Sequence, residues 1–78
     1  MNAETKAIAD FLSTEGTYID VLTIVQAAQN DEEAAQQIED YVINQRRGSE
    51  ALYQSFAQDD KDFRNVDWVE VAQAFKSD

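Results

Sequence analysis

The chain has no cysteine, no proline, no histidine and only two glycines among its 78 residues. Without cysteine there is no disulfide framework and no thiolate chemistry, and the redox compartment stays open. Without histidine as well, a zinc tetrad, a His-assisted nucleophile and a histidine pH switch are all excluded. Gly16 and Gly48 stand alone and cannot form a phosphate-cradling loop. Long apolar runs are missing too. The longest uncharged run, Val21 to Asn30, is half the length of a membrane span, and no basic stretch followed by an apolar one marks a signal peptide. A soluble, cytoplasmic protein without membrane contact is expected. No internal repeat or low-complexity tract is visible.

Positive charge is scarce. Six Lys and Arg face sixteen Asp and Glu, for a net charge of −10. Residues 1–45 carry nine acids and one base, Lys6, a net of −8; residues 46–78 carry seven acids and five bases, a net of −2. Such a field repels nucleic acid and anionic lipid and attracts basic surfaces. Direct nucleic-acid binding is not expected.

What is present is helical punctuation. The apolar fraction of 44% and the aromatic share of 10% suit one folded domain with a modest core rather than a disordered chain. Asn2 suits an N-cap for a first helix bearing Ala3, Ala7, Ile8, Phe11 and Leu12, and Gly16 suits its close. Tyr18 to Ala28 reads as the central helix: Tyr18, Val21, Leu22, Val25 and Ala28 share a face that Ile19 and Ile24 widen. Thr17 would cap it, with Asp20 at the capping-box position. Asn30 with Glu33 repeats that spacing and opens a third helix over 31–47. Its acidic first turn suits the helix dipole, Ala34, Ala35, Ile38, Tyr41, Val42 and Gln45 line its core side, and Gly48 stops it. Ser49 caps a short fourth helix with Leu52 and Phe56 inward. A polar loop from Gln58 to Asn65 is anchored only by Phe63. Asp67 then starts a last helix, with Val66 and Val71 as a hydrophobic staple and Trp68, Val71, Ala72 and Phe75 inward. The fold class expected is all-α, a single bundle of four to five short helices.

One surface stands out. Glu32 and Glu39 are two turns apart on the third helix, as are Glu33 and Asp40, so each pair repeats at about 10.5 Å. Ile43 projects into the same region, poorly placed for the core. Asp20, and Glu15 before it, extend the patch depending on packing. An ordinary solvated helix mixes signs to gain i,i+4 pairs, whereas here the only bases, Arg46 and Arg47, sit at the end.

Chemistry is otherwise absent. Close carboxylate pairs are expected by chance among sixteen acids, and nothing suggests a desolvated pocket to tune one of them. A calcium loop over Asp59 to Glu70 fails because Lys61 and Phe63 fall where the EF-hand needs oxygen ligands. The run Arg46-Arg47-Gly48-Ser49 has the form of a basophilic kinase site, but helix end and cap roles account for it. No enzyme, cofactor or metal is expected.

Three classes of function compete. An acidic decoy would imitate the phosphate array of DNA, about one charge per 1.7 Å of axis, and occupy a nucleic-acid-binding protein. A helical adaptor or oligomerisation module, a homodimer included, would use exposed apolar residues such as Ile43, Val69 and Tyr53. Salt adaptation would spread acids for solubility alone, against which the N-terminal skew of charge counts.

The segments Asp31-Glu32-Glu33 through Glu39-Asp40-Tyr41-Val42, then Asn65 to Phe75, resemble the terminal region of ArdA-type antirestriction proteins. More broadly the chain resembles small acidic phage and plasmid proteins, anti-CRISPR proteins among them. That resemblance covers about half the chain and transfers no functional residue. It implies a phage- or plasmid-encoded inhibitor that blocks a host DNA-binding defence or transcription complex by charge mimicry.

Overall fold

Five helices form where caps and apolar stripes predict them. In a computed structural model, which describes residues 1–14 and 16–76, they are α1 (Ala3–Leu12), α2 (Tyr18–Ala27), α3 (Asp31–Glu39), α4 (Glu50–Gln58) and α5 (Trp68–Lys76). No strand occurs among the described residues. The radius of gyration, 11.3 Å, matches the value of about 11.5 Å expected for one compact body of this length.

Four helix starts are closed by side chains. Asn2 Oδ1 accepts from the Thr5 amide at 2.7 Å, and Asn30 Oδ1 from the Glu33 amide at 2.8 Å. Ser49 Oγ accepts from Leu52 at 3.3 Å and Asp67 Oδ1 from Glu70 at 3.2 Å. Each bond satisfies an amide that the helix itself leaves without a partner. The polar connection after α4 contains one 3₁₀ turn, Phe63–Asn65. Phe63 anchors it by stacking on Phe56, ring centroids 4.3 Å apart. Val66 and Val71 are both buried, as a staple requires.

The centre of the bundle is α5, not α2. Helix α5 packs against α1, α2 and α3 and buries Trp68, Val71, Ala72 and Phe75. On α2 only Val21 and Val25 are fully buried. Tyr18, Leu22, Ile24 and Ala28 are half-buried, and Ile19 is 67% exposed. Spacing does not decide this, because Tyr18, Ile19, Val21, Leu22, Ile24 and Val25 on α2 recur at the same intervals as Trp68, Val69, Val71, Ala72, Ala74 and Phe75 on α5. The neighbours decide it: α5 lies among α1, α2 and α3 and is covered by all three.

Thr17 also departs from expectation. Its hydroxyl makes no cap for α2; it turns back to the carbonyl of Leu12 at 3.1 Å and is itself buried. The side chain therefore staples the turn between α1 and α2. A second buried threonine, Thr5, accepts from the Asp67 amide at 2.8 Å and ties α1 to the start of α5.

The third helix does not run regularly to Arg47. After Glu39 it widens into a π turn, Asp40–Asn44. The Gln45 amide bonds the Asp40 carbonyl five residues back at 2.9 Å, and the Arg47 amide bonds Tyr41, six back, at 3.1 Å. One extra residue in the turn rotates the next part of the chain by about 100°. Gln45, expected on the core stripe with Tyr41 and Val42, is accordingly exposed. Arg46, with φ of +49°, takes the left-handed closing position expected of Gly48. Its guanidinium lies 4.2 Å over the Tyr53 ring, which favours the cation–π contact. Gly48 is there for space: a Cβ would meet Leu52 Cδ2 at 2.9 Å and the Tyr53 hydroxyl at 3.0 Å. That hydroxyl accepts from the Gly48 amide and donates to the Val42 carbonyl at 2.6 Å, locking α4 to the end of the π turn.

Candidate interaction surface

The acids of α3 fall into three situations. Asp31 is neutralised: Lys76 Nζ lies 2.8 Å away and the Gln73 amide donates at 3.3 Å. These two donors, Lys76 first, hold its carboxyl below the usual carboxylate range. Glu33 and Asp40 are half-buried and engaged locally. Glu33 accepts from the Gln37 carboxamide at 3.2 Å and from the amide of Gln29, one residue before the N-cap, at 3.4 Å. Asp40 accepts from the carboxamides of Asn44 at 2.8 Å and Gln45 at 2.7 Å, which lower its pKa in that order. The two carboxamides stand four and five residues on, so they clamp the π turn from its own acid. Glu32 and Glu39 are exposed, and neither belongs to an ion pair among the described residues.

Asp20, exposed on α2, accepts from the Tyr41 hydroxyl at 2.9 Å. The Tyr41 ring is only 6% exposed. Burial, then the Asp20 carboxylate, push its pKa up to about 12, so the hydroxyl stays a donor at any physiological pH. Through this bond α2 and the π turn become the two walls of a cleft of about 670 Å³. Asp20, Thr23 and Ile24 form one wall; Gln36, Gln37, Asp40, Tyr41 and Gln45 form the other, with Arg47 at the side.

Of the sequence-predicted residues, Asp20 and Asp40 meet in this cleft, and Glu33 reaches Gln37 on its wall. Glu32 and Glu39 share the open face of α3, and Ile43, 37% exposed, follows one turn beyond Glu39. Glu15 lies outside the described residues. Sequence reasoning missed the glutamines and Tyr41 as parts of a site. One signal was available: a tyrosine inside an apolar stripe needs a partner for its hydroxyl, and Asp20 on the facing helix supplies it.

Elsewhere most of the bases are paired with local acids. Lys6 pairs with Asp10 at 3.1 Å, Lys61 with Asp59 at 3.5 Å and Arg64 with Asp62 at 2.8 Å. With Lys76 on Asp31 and Arg46 on Tyr53, five of the six bases are occupied away from the open face of α3. Among the described residues no group of three or more His, Cys, Asp or Glu side chains could hold a metal, and no helix is long and apolar enough to cross a membrane. Comparison with protein-family models, curated proteins and solved structures finds no match.

Proposed function

We propose that the chain is a non-enzymatic, cytoplasmic interaction protein that offers the acidic face of α3 to a basic surface on a nucleic-acid-binding protein. It acts there as a DNA-mimic inhibitor. The observation that carries this reading is the distribution of charge: five of the six bases are occupied elsewhere while Glu32 and Glu39 stand open. Uncompensated carboxylates on a rigid helix speed association with a basic partner and set its orientation.

A second reading, an adaptor or homodimer, has one observation in its favour: Ile19, 67% exposed on α2. An apolar contact would centre there or on Ile43.

A duplex-DNA column loaded with extract of the source cell separates the two. The decoy reading expects the chain to release a bound protein in a salt-dependent way, and a Glu32→Gln/Glu39→Gln variant to release it less. These two positions are preferred to Glu33 and Asp40, whose carboxylates also support the backbone. Failure to displace any protein, or equal release by the double variant, overturns the decoy. A loss confined to Ile19→Ser or Ile43→Ser in self-association favours the adaptor.

A further inference from the structure

We propose that α4 is a flap that opens as a unit, hinged at Arg46 and Asp60, while α1, α2, α3 and α5 stay folded. This flap is independent of the acidic surface of α3. Helix α4 is the helix least bound into the bundle. The close helix pairs are α3 with α5, α1 with α5, α2 with α5 and α2 with α3, and α4 belongs to none of them. Leu52 and Phe56 are its only fully buried residues, while Glu50, Ala51, Gln54, Ala57 and Gln58 are exposed. Among the described residues, one hydrogen bond joins α4 to an element beyond its own flanks, from the Tyr53 hydroxyl to the Val42 carbonyl at 2.6 Å.

The two ends of this segment carry the only non-glycine residues with positive φ among those described, Arg46 at +49° and Asp60 at +56°. Each closes a helical turn. The Arg47 amide bonds the Tyr41 carbonyl at 3.1 Å, and the Lys61 amide bonds that of Phe56 at 3.0 Å. A left-handed backbone crowds the Cβ of an L residue, so opening either turn releases that crowding. Outside the hinges the chain is anchored. Tyr41 and Val42 are buried before Arg46, and Tyr41 is bonded to Asp20. After Asp60, Asn2 donates to the Asn65 carbonyl at 2.7 Å and Asn65 donates to Glu4 at 3.0 Å, which fixes the 3₁₀ turn to α1. A weakly held segment between two firmly held ends is the pattern of a cooperative unit that opens before the rest of the molecule. Tyr53 is the latch. Its hydroxyl bonds Gly48 and Val42 while the Arg46 guanidinium lies over its ring, so one side chain joins the first hinge, α4 and the π turn. Opening breaks these contacts and the stack of Phe56 on Phe63, and it brings Leu52 and Phe56 into water.

The test is hydrogen exchange of the full chain under native conditions, followed amide by amide by NMR. Amides of α4 are expected to exchange about tenfold faster than those of α5. Tyr53→Phe keeps the ring and removes the latch, and should quicken α4 about fivefold, the weight of one hydrogen bond. Leu22→Ala tells a flap from global unfolding. Leu22 lines a groove with Phe75 and Lys76 that no α4 residue enters. Its loss should therefore quicken α5 about tenfold and leave α4 unchanged. Thr5→Val, which unties α1 from the start of α5, should split the two helices in the same way and serves if Leu22→Ala does not fold. Any of three results overturns the flap: exchange in α4 as slow as in α5, an unchanged α4 in Tyr53→Phe, or equal quickening of α4 and α5 in the bundle variants.

Discussion

Helices α2 and α5 are similar in length but play opposite parts. Helix α2 carries the bulkier aliphatic run, Val21-Leu22-Thr23-Ile24-Val25 against Val71-Ala72-Gln73-Ala74-Phe75 on α5, yet it buries only Val21 and Val25 completely. Helix α5 mixes Glu70, Gln73 and Lys76 into its sequence and still buries four residues against three other helices. The two helices share the same apolar spacing, so a central position comes from the neighbours packed around a helix, not from the number or order of its own apolar residues. Surplus apolar residues on α2 become exposed Ile19 and the half-buried groove around Leu22, which Phe75 of α5 borders.

The substitution expected to separate the two helices most is Phe75→Ala. Its ring is buried and lies 5.9 Å from that of Tyr18, so removal should cost about 3–5 kcal/mol. Leu22→Ala, at a half-buried site, should cost about 1–2 kcal/mol, below the range for a fully buried leucine. Urea melts of the two variants compare them directly. A Leu22→Ala cost equal to that of Phe75→Ala would restore α2 to the centre.

Next in size is Thr5→Val. It strands the Asp67 amide at the entrance to α5 and should cost about 1–3 kcal/mol. Hydrogen exchange at α5 reports it: faster exchange there than at α2 is expected, and uniform acceleration would show that the tie is not local.

Alkaline pH probes the edge where α2 meets the π turn. The Tyr41 pKa, pushed up from 10 to about 12 by burial and by Asp20, makes the folded state hold a proton that the unfolded chain releases. That stability is fully present below pH 10 and is lost as pH rises through about 12. Tyr41→Phe should flatten stability across that window, and Asp20→Asn should shift the phenolate absorbance transition of Tyr41 to lower pH. An unchanged alkaline profile in Tyr41→Phe would remove this contact from the account.

The smallest effect belongs to the open acids. Glu32→Gln/Glu39→Gln should move stability by no more than about 0.5 kcal/mol per site, and Ile19→Ser on α2 by a similar amount. A thermal midpoint lowered by several degrees in either would mean that these exposed positions support the fold.

Much of this was legible because it is local. Asn2, Asn30, Ser49 and Asp67 act within three residues of themselves, and a cap needs no knowledge of the far side of the bundle. The inward faces of α2 and α5 were legible in the same way, from Tyr18, Val21, Leu22 and Val25 and from Trp68, Val71, Ala72 and Phe75, but how deeply each face is covered was not. Thr17 was misread because its hydroxyl had two local options, forward to an amide or back to the Leu12 carbonyl, and the packing of α1 on the turn decided. Within the candidate surface, Glu32 and Glu39 were readable as an open repeat. Tyr41 and the cleft were not, since Asp20 lies twenty-one residues from the hydroxyl it accepts.

The helical class, the helix starts, the missing histidine and cysteine chemistry and the excess of negative charge were all set by the order and kind of the residues. Periodicity, near-neighbour hydrogen bonds and counting suffice for each of them. Packing alone settled which helix is central, where the third helix widens, which acids are engaged by Lys76 or by carboxamides and which stay open. Those outcomes depend on which surfaces meet, because a hydrogen bond or ion pair between distant residues exists only once packing has set its length.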